Sequence, residues 1–347
     1  MQVPITMIQV EAHMSPGFLS GANLAAGRRF AAYLVAGFAL LPGPVAAEEG
    51  GSGHYMPGSM SSFIDSVPPR ETFLMRLNVL NYTGSAAKSV AIPIAGRSAL
   101  GADADSWGYG LTFAWRPAID LGERWSYAVS ATIPYVTMEV SADVDVTAPG
   151  GAPRTIKVSD RETGLGDIVL QPLMLNYHVS PDFSMNFRVT AYAPTGGYKV
   201  GRLANTGKNF WTVEPTLALM YFGQKNGIEA SLFIGADFNE ENSDTNYESG
   251  TQGHLDGTLA QHFPLAGGLA GVGVSGYYYE QLSADRGDGA TFGDFEAKTV
   301  GAGPVLSYVT KAGCNDLVAE LKWLHEFDTE RRLEGDTVFL KVMYKFY

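Results

Sequence analysis

From residue 73 onward, apolar and polar side chains alternate along one segment of the chain after another. Period-two alternation places successive side chains on opposite faces of a β-strand. In the segment 182 to 194, one face holds Phe183, Met185, Phe187, Val189 and Ala191, and the other holds Ser184, Asn186, Arg188 and Thr190. The pattern predicts strands with one apolar face and one face of charged and hydrogen-bonding groups.

Twelve strands are predicted in this way, and their connections alternate between short turns and long loops. The strands lie near 73 to 82, 105 to 116, 124 to 140, 164 to 177, 182 to 194, 208 to 222, 226 to 237, 249 to 263, 267 to 280, 295 to 309, 315 to 326 and 336 to 347. The long loops are 83 to 104, 141 to 163, 195 to 207, 238 to 248, 281 to 294 and 327 to 335. Even strand number, short periplasmic turns and long external loops are typical of outer-membrane barrels.

The predicted fold class is therefore all-β, a single antiparallel transmembrane β-barrel. A soluble sandwich or lipocalin-like barrel also alternates, but the last segment favours the membrane. Its apolar face consists of Val338, Leu340, Val342, Tyr344 and Phe346, and an aromatic-ended final strand is characteristic of outer-membrane barrels. Because lipid offers no hydrogen-bond partners, the sheet has to close on itself. Segment 73 to 82 is expected to pair with 336 to 347.

Composition narrows the class of protein. Hydrophobic residues make up 46% of the 347 residues, yet beyond the N-terminus no apolar stretch is long enough for a membrane-spanning helix. The formal net charge is -12, which argues against nucleic acid as a partner. Cys314 is the only cysteine, so an internal disulfide and a cysteine-based zinc site are excluded.

The N-terminus has the order of a signal peptide. Arg28 and Arg29 precede an apolar run, a Pro-Gly-Pro break follows, and small residues lead up to Ala47. This order predicts export with cleavage after Ala47, whether translation starts at Met1 or Met14. The predicted organisation is a signal peptide at 1 to 47, an N-terminal segment without strand pattern at 48 to 72, and the barrel at 73 to 347.

Three short motifs suggest a family. They are Gly53-His54-Tyr55-Met56-Pro57-Gly58, Val67-Pro68-Pro69 and Gly164-Leu165-Gly166-Asp167-Ile168. With the predicted barrel, they resemble the phenol-degradation meta-pathway family of outer-membrane proteins. The resemblance implies a transporter in the outer membrane of a Gram-negative bacterium, associated with uptake of small, often aromatic, organic compounds. We expect facilitated diffusion through the lumen.

The strand phase assigns a set of charged residues to the lumen. These candidates for the solute path are Arg76, Arg188, Glu214, Glu229, Asp237, Asp256, Glu320 and Lys322. Acids exceed bases among them, which predicts a mild preference for cations. Alternatively, the charges pair across the interior and block it. The segment 48 to 72, with His54, Tyr55 and Pro57, either folds into the lumen as a plug or trails in the periplasm.

Two other function classes stay open. A lipid-modifying enzyme would use His254 or His262, but no GxSxG elbow occurs in the sequence. A structural barrel would have a blocked lumen. We expect no catalytic residue, metal or cofactor, and the expected partners are outer-membrane lipid, lipopolysaccharide, the barrel assembly machinery and a small solute.

Overall fold

A computed structural model describes residues 52–87, 91–147, 153–290 and 297–347. The predicted signal peptide lies outside these residues. The strands are β1 Thr72–Ser85, β2 Ala91–Ile94, β3 Arg97–Arg116, β4 Trp125–Thr147, β5 Pro153–Leu165, β6 Ile168–His178, β7 Phe183–Ala193, β8 Thr212–Phe222, β9 Ile228–Asn239, β10 Glu241–Asn242, β11 Tyr247–Glu248, β12 Gln252–Leu265, β13 Gly268–Gln281, β14 Lys298–Ala312, β15 Asn315–Glu326 and β16 Glu334–Phe346. A single 3-10 turn, Phe63–Asp65, precedes them. No helix in the described ranges has the length and apolar character needed to cross a membrane.

Twelve antiparallel strands close into a barrel, as the sequence predicted. The wall runs in the order β1, β3, β4, β6, β7, β8, β9, β12, β13, β14, β15 and β16. The first and last strands pair from Phe73 opposite Phe346 to Ser85 opposite Glu334, which confirms the expected closure. Every wall strand therefore has a neighbour on both sides, and no row of backbone groups is left to face lipid.

The outer face of the wall is apolar. Leu259 and Val274, from neighbouring strands, are 62% and 60% exposed, whereas Thr258 and Ser275 next to them are each 2% exposed. All five tryptophans lie among the exposed residues, as expected for aromatic side chains at a membrane interface. Apolar side chains outside and polar ones inside suit a barrel in a bilayer, and the protein is an outer-membrane barrel.

Two of the predicted long loops are wrong. Most of 83 to 104 forms a hairpin, because β2 pairs with the start of β3. Most of 141 to 163 is also paired, with Thr147 of β4 opposite Pro153 of β5. These strands extend past the apolar band, and there the apolar side chains, such as Ala99, Ala142 and Val144, are buried. The apolar outward face that marks the wall strands therefore ends at this level. The predicted fourth strand, 164 to 177, is divided between β5 and β6 at Gly166-Asp167.

Residues 52 to 69, which we call the inner segment, contact inward-facing side chains of the wall. Ser61 and Ser62 are fully buried, and Tyr55 and Ile64 are each 2% exposed. Tyr55 packs with Phe233 of β9 and other wall residues in one apolar cluster. A second cluster joins Ile64 to wall residues of β1, β15 and β16. The interior thus contains chain as well as side chains of the strands.

Candidate functional site

The structure turns all eight predicted lumen residues inward, but most of them bind the inner segment or each other. Arg188, Glu214, Glu229, Asp237, Asp256, Glu320 and Lys322 are each at most 2% exposed. Arg76 is partly exposed, with 18% of its side-chain surface accessible. Buried charges need partners, so the contacts of these residues define what the interior does.

Asp65 of the inner segment is the centre of the first cluster. Arg76 Nη1 and Lys341 Nζ each lie 2.8 Å from its carboxylate, and Arg188 donates to its backbone oxygen at 3.0 Å. Burial alone would raise the pKa of Asp65, but Lys341 and Arg76 hold that pKa well below its ordinary value. Sequence reasoning missed both Asp65 and Lys341. The strand alternation places Lys341 on the inward face, whereas no pattern marked Asp65.

The second cluster surrounds Lys322 on β15. Its Nζ donates to the backbone oxygen of Gly58 at 2.7 Å and to Ser61 Oγ at 2.8 Å. Glu320 Oε1 lies 3.5 Å from the same nitrogen, and Ser62 Oγ donates to the Glu320 carboxylate. These bonds attach the inner segment to one side of the wall.

The acids of β9 and β12 form the rest of that attachment. Gly58 N–H donates to Asp256 Oδ1 at 2.6 Å, and Phe63 N–H donates to Glu229 Oε1 at 2.7 Å. A histidine is bonded to the other oxygen of each carboxylate. His254 Nδ1 lies 2.6 Å from Asp256 Oδ2, and His262 Nε2 lies 2.8 Å from Glu229 Oε2.

The three residues singled out in the inner segment occupy its first part. His54 Nε2 lies 3.0 Å from Asp167 Oδ2, at the break between β5 and β6. The Tyr55 ring stacks on the His254 ring with 3.7 Å between centroids, and Pro57 is buried. Asp167 also accepts from the N–H groups of Gly196 and Lys208. Two of the sequence motifs, around residues 53 to 58 and 164 to 168, therefore meet in space.

Three cavities lie along the other side of the inner segment, next to β1, β3 and β4. The loop-end cavity has a volume of ≈ 140 Å³ and is lined by Ile92, Ile94, Met138, Val140, Leu203 and Phe210, among others. The middle cavity, of ≈ 350 Å³, is lined by wall residues such as Asn78 and Thr132. The turn-end cavity, of ≈ 40 Å³, contacts Val67 and Met174.

Shared lining residues show that these cavities adjoin one another. Met56 and Lys208 line both the loop-end and the middle cavity. Met60, Arg76 and Gln171 line both the middle and the turn-end cavity. The three spaces therefore lie one after another along the inner segment. The smallest volume lies at the end that holds the short turns.

Comparison with solved structures finds a similar fold in an outer membrane channel. The COG4313 outer membrane channel from Pseudomonas putida F1 aligns with a TM-score of 0.58 and 16% identity, over 84% of this chain and 100% of that one. The β-domain of the Bordetella autotransporter BrkA gives 0.44 and 10%, over 80% and 100%. The TodX ΔS2S3 mutant monoaromatic hydrocarbon channel gives 0.39 and 10%, over 83% and 92%.

Sequence comparison identifies a family. No curated protein sequence matches this chain. A family profile described as "Putative MetA-pathway of phenol degradation" matches residues 85–342, which include every wall strand except most of β1 and the end of β16. The barrel, the inward charges and this match agree with the resemblance found in the sequence motifs, and the chain belongs to that family of phenol-degradation MetA-pathway proteins.

Proposed function

We propose that this protein is an outer-membrane channel through which small organic compounds, aromatic ones included, diffuse along the inner segment. The row of adjoining cavities along the inner segment is the observation that carries the proposal. The loop-end cavity is lined mainly by apolar side chains, and apolar pockets with few polar groups are typical binding sites for small organic molecules. The family description, which names phenol degradation, supports a solute of this kind.

We further propose that the inner segment is a plug that narrows the lumen and leaves a passage on one side. Its polar bonds to β9, β12 and β15 support this arrangement, because they hold it against one side of the wall. The cavities lie on the opposite side. The candidates from the sequence then divide. Lys322, Glu229 and Asp256 hold the plug on the side away from the cavities, whereas Arg76 binds Asp65 of the plug and also borders the passage.

The plug proposal also changes the expectation for ions. Most of the acids behind the predicted cation preference are bonded to the inner segment or to histidines, so their influence on mobile ions is reduced. Arg76 and Lys341 line the middle cavity, and both are cations. A mild preference for cations stays a prediction from the sequence.

A lipid-modifying enzyme is less well supported. His254 and His262 are at most 3% exposed, and each is bonded to a carboxylate inside the barrel. Phe63 of the inner segment contacts the His262 ring at 5.2 Å between centroids. In the same way, the Tyr55 ring stacks on the His254 ring. A lipid substrate approaches the wall from outside, where neither imidazole is accessible. Lipopolysaccharide and the barrel assembly machinery remain predicted partners on the strength of the fold.

Uptake into liposomes tests the channel proposal. Purified mature protein would be reconstituted, and entry of 4-hydroxybenzenesulfonate, an aromatic solute whose charge keeps it from crossing lipid unaided, would be compared with entry of a larger disaccharide. The proposal expects protein-dependent entry of the aromatic solute. This entry should saturate weakly or not at all and should follow the concentration gradient in either direction. Equal entry into liposomes with and without a correctly folded barrel would contradict it.

A further inference from the structure

Three side chains from neighbouring wall strands converge inside the barrel. They are Glu214 of β8, Asp237 of β9 and His254 of β12, and one ligand atom from each lies within 4.8 Å of the other two. The two acids are fully buried, and His254 is 2% exposed. Adjacent antiparallel strands bring them together, although they share no short motif in the sequence.

The hydrogen bond made by Nδ1 of His254 determines which ring nitrogen is available to bind a ligand. Nδ1 of His254 lies 2.6 Å from Asp256 Oδ2, and an ionised carboxylate only accepts hydrogen bonds. Nδ1 therefore carries the proton. Nε2 faces Glu214 Oε1, 3.4 Å away, and makes no hydrogen bond within ordinary length. Without a proton on Nε2, its lone pair points at that oxygen. Two lone pairs facing each other in a buried site are unfavourable unless a cation lies between them.

The distance between the histidine and one of the acids suits a metal ion of the zinc type. Nitrogen and oxygen ligands bound at about 2.0–2.1 Å in a tetrahedron lie about 3.3–3.4 Å apart, which agrees with the distance from Nε2 to Glu214 Oε1. A mixed set of imidazole and carboxylates favours Zn²⁺ and related transition ions, whereas Ca²⁺ and Mg²⁺ prefer oxygen alone.

The surroundings hold the ligands in position. Thr216 and Tyr192 donate to the two oxygens of Glu214 at 2.7 and 2.6 Å, and each oxygen keeps a second lone pair for an ion. A carboxylate behind a metal-binding histidine, such as Asp256 behind His254, fixes the ring orientation and raises its basicity. Glu214 and Asp256 also need a positive charge nearby, because buried carboxylates are costly alone.

We propose that Glu214, Asp237 and His254 bind one divalent transition-metal ion, such as Zn²⁺, and that Asp256 positions His254 for it. Three protein ligands leave a fourth position for water. The Tyr55 ring stacks on the His254 ring, so the ion also stiffens the contact between the wall and the inner segment. No metal was expected from the sequence, because the three ligands lie on separate strands.

Metal binding to the untagged mature barrel tests this site. The protein would be stripped with a chelator, loaded with Zn²⁺, desalted and analysed for metal content, and Co²⁺ would serve as a spectroscopic probe. We expect one Zn²⁺ per chain and the visible absorption of tetrahedral Co²⁺. Glu214→Gln and Asp237→Asn should each abolish retention, and Asp256→Asn should weaken affinity roughly tenfold to a hundredfold.

His262→Gln is the matched control. His262 and Glu229 form a buried histidine–carboxylate pair at 2.8 Å, and no third ligand joins them among the residues that the structure describes. This variant should bind Zn²⁺ as the wild type does. Heat-modifiable migration would verify that each variant is folded. A folded wild type that retains no Zn²⁺ and gives no tetrahedral Co²⁺ spectrum would overturn the proposal, since a proton would then occupy Nε2. Retention that survives both ligand substitutions would overturn it as well.

Discussion

Both carboxylate oxygens of Asp65 lie 2.8 Å from Nζ of Lys341, which ion-pairs the inner segment to the last strand of the wall. Arg76, on the first strand, binds the same carboxylate. Because β1 and β16 are the strands that close the barrel, Asp65 bridges the closure from inside. Removing one partner of a buried ion pair leaves an uncompensated charge and costs far more than removing a surface pair.

Asp65→Asn is therefore expected to loosen the inner segment without unfolding the wall. The loss of attachment should be about 3–5 kcal/mol, the usual cost of breaking a buried pair. Limited proteolysis should then cut within residues 52 to 69, and single-channel conductance should rise. Asp328→Asn, which removes the exposed partner of Lys298 at 2.7 Å, should change neither. An Asp65→Asn protein with wild-type proteolysis would show that this ion pair does not hold the segment.

A disulfide can test whether the segment must move during transport. Ser61 Oγ and Ser275 Oγ are 3.0 Å apart, so cysteines at these positions lie close enough to be joined with small adjustments. Cys314, which is exposed, would first be replaced by serine. Because the passage lies on the opposite side, the oxidised and reduced forms should conduct equally. Conductance that appears only after reduction would mean that transport requires displacement of the segment.

The outward apolar face predicts a depth-dependent cost for charge. Leu259, in the middle of β12, is 62% exposed, and Leu265, at its turn end, is 53% exposed. Leu259→Arg should destabilise the barrel by about 2–4 kcal/mol and Leu265→Arg by about 0–1 kcal/mol, because the penalty falls towards the interface. Unfolding by denaturant in lipid vesicles measures both. Equal, small effects would argue against a lipid-facing β12.

The loop-end cavity predicts a selective block of aromatic uptake. Ala102 is 1% exposed and lines this cavity, so the ring introduced by Ala102→Phe would fill part of its ≈ 140 Å³. Entry of 4-hydroxybenzenesulfonate into liposomes should fall severalfold in a folded variant. Ala230→Phe adds the same ring to β9 on the outward-facing side of the wall and should leave uptake unchanged. Undiminished entry through Ala102→Phe would remove this cavity from the route.

The wall strands could be predicted from the sequence because each has one apolar and one polar face. Such a strand is recognised by the alternation of apolar and polar residues within its own segment. The pairing of 73 to 82 with 336 to 347 followed from the absence of hydrogen-bond partners in lipid. The hairpins of β2 and β5 could not be predicted in this way. They extend beyond the apolar band, where the apolar side chains are buried, as Ile92 and Val144 are, and the apolar outward face that identifies the wall strands is absent.

The interior was predictable only in part. The alternation identified Glu214, Asp237 and Lys322 as inward-facing, but it carried no information on which residues would face one another across strands. The contact of His54 with Asp167, 3.0 Å apart, joins segments far apart in the sequence. Asp65 lies in a segment without periodicity, and its role depends entirely on Lys341 and Arg76, which only the closed barrel brings to it.

Single-channel conductance of the refolded barrel tests the central claim most directly, when the mature chain is compared with one that begins at residue 70. A passage beside the inner segment predicts a small, steady conductance for the mature chain and a several-fold larger one for the shortened chain, with both barrels heat-modifiable. Folded barrels that are silent with and without residues 48 to 69 would contradict the account and leave a structural barrel with a blocked lumen.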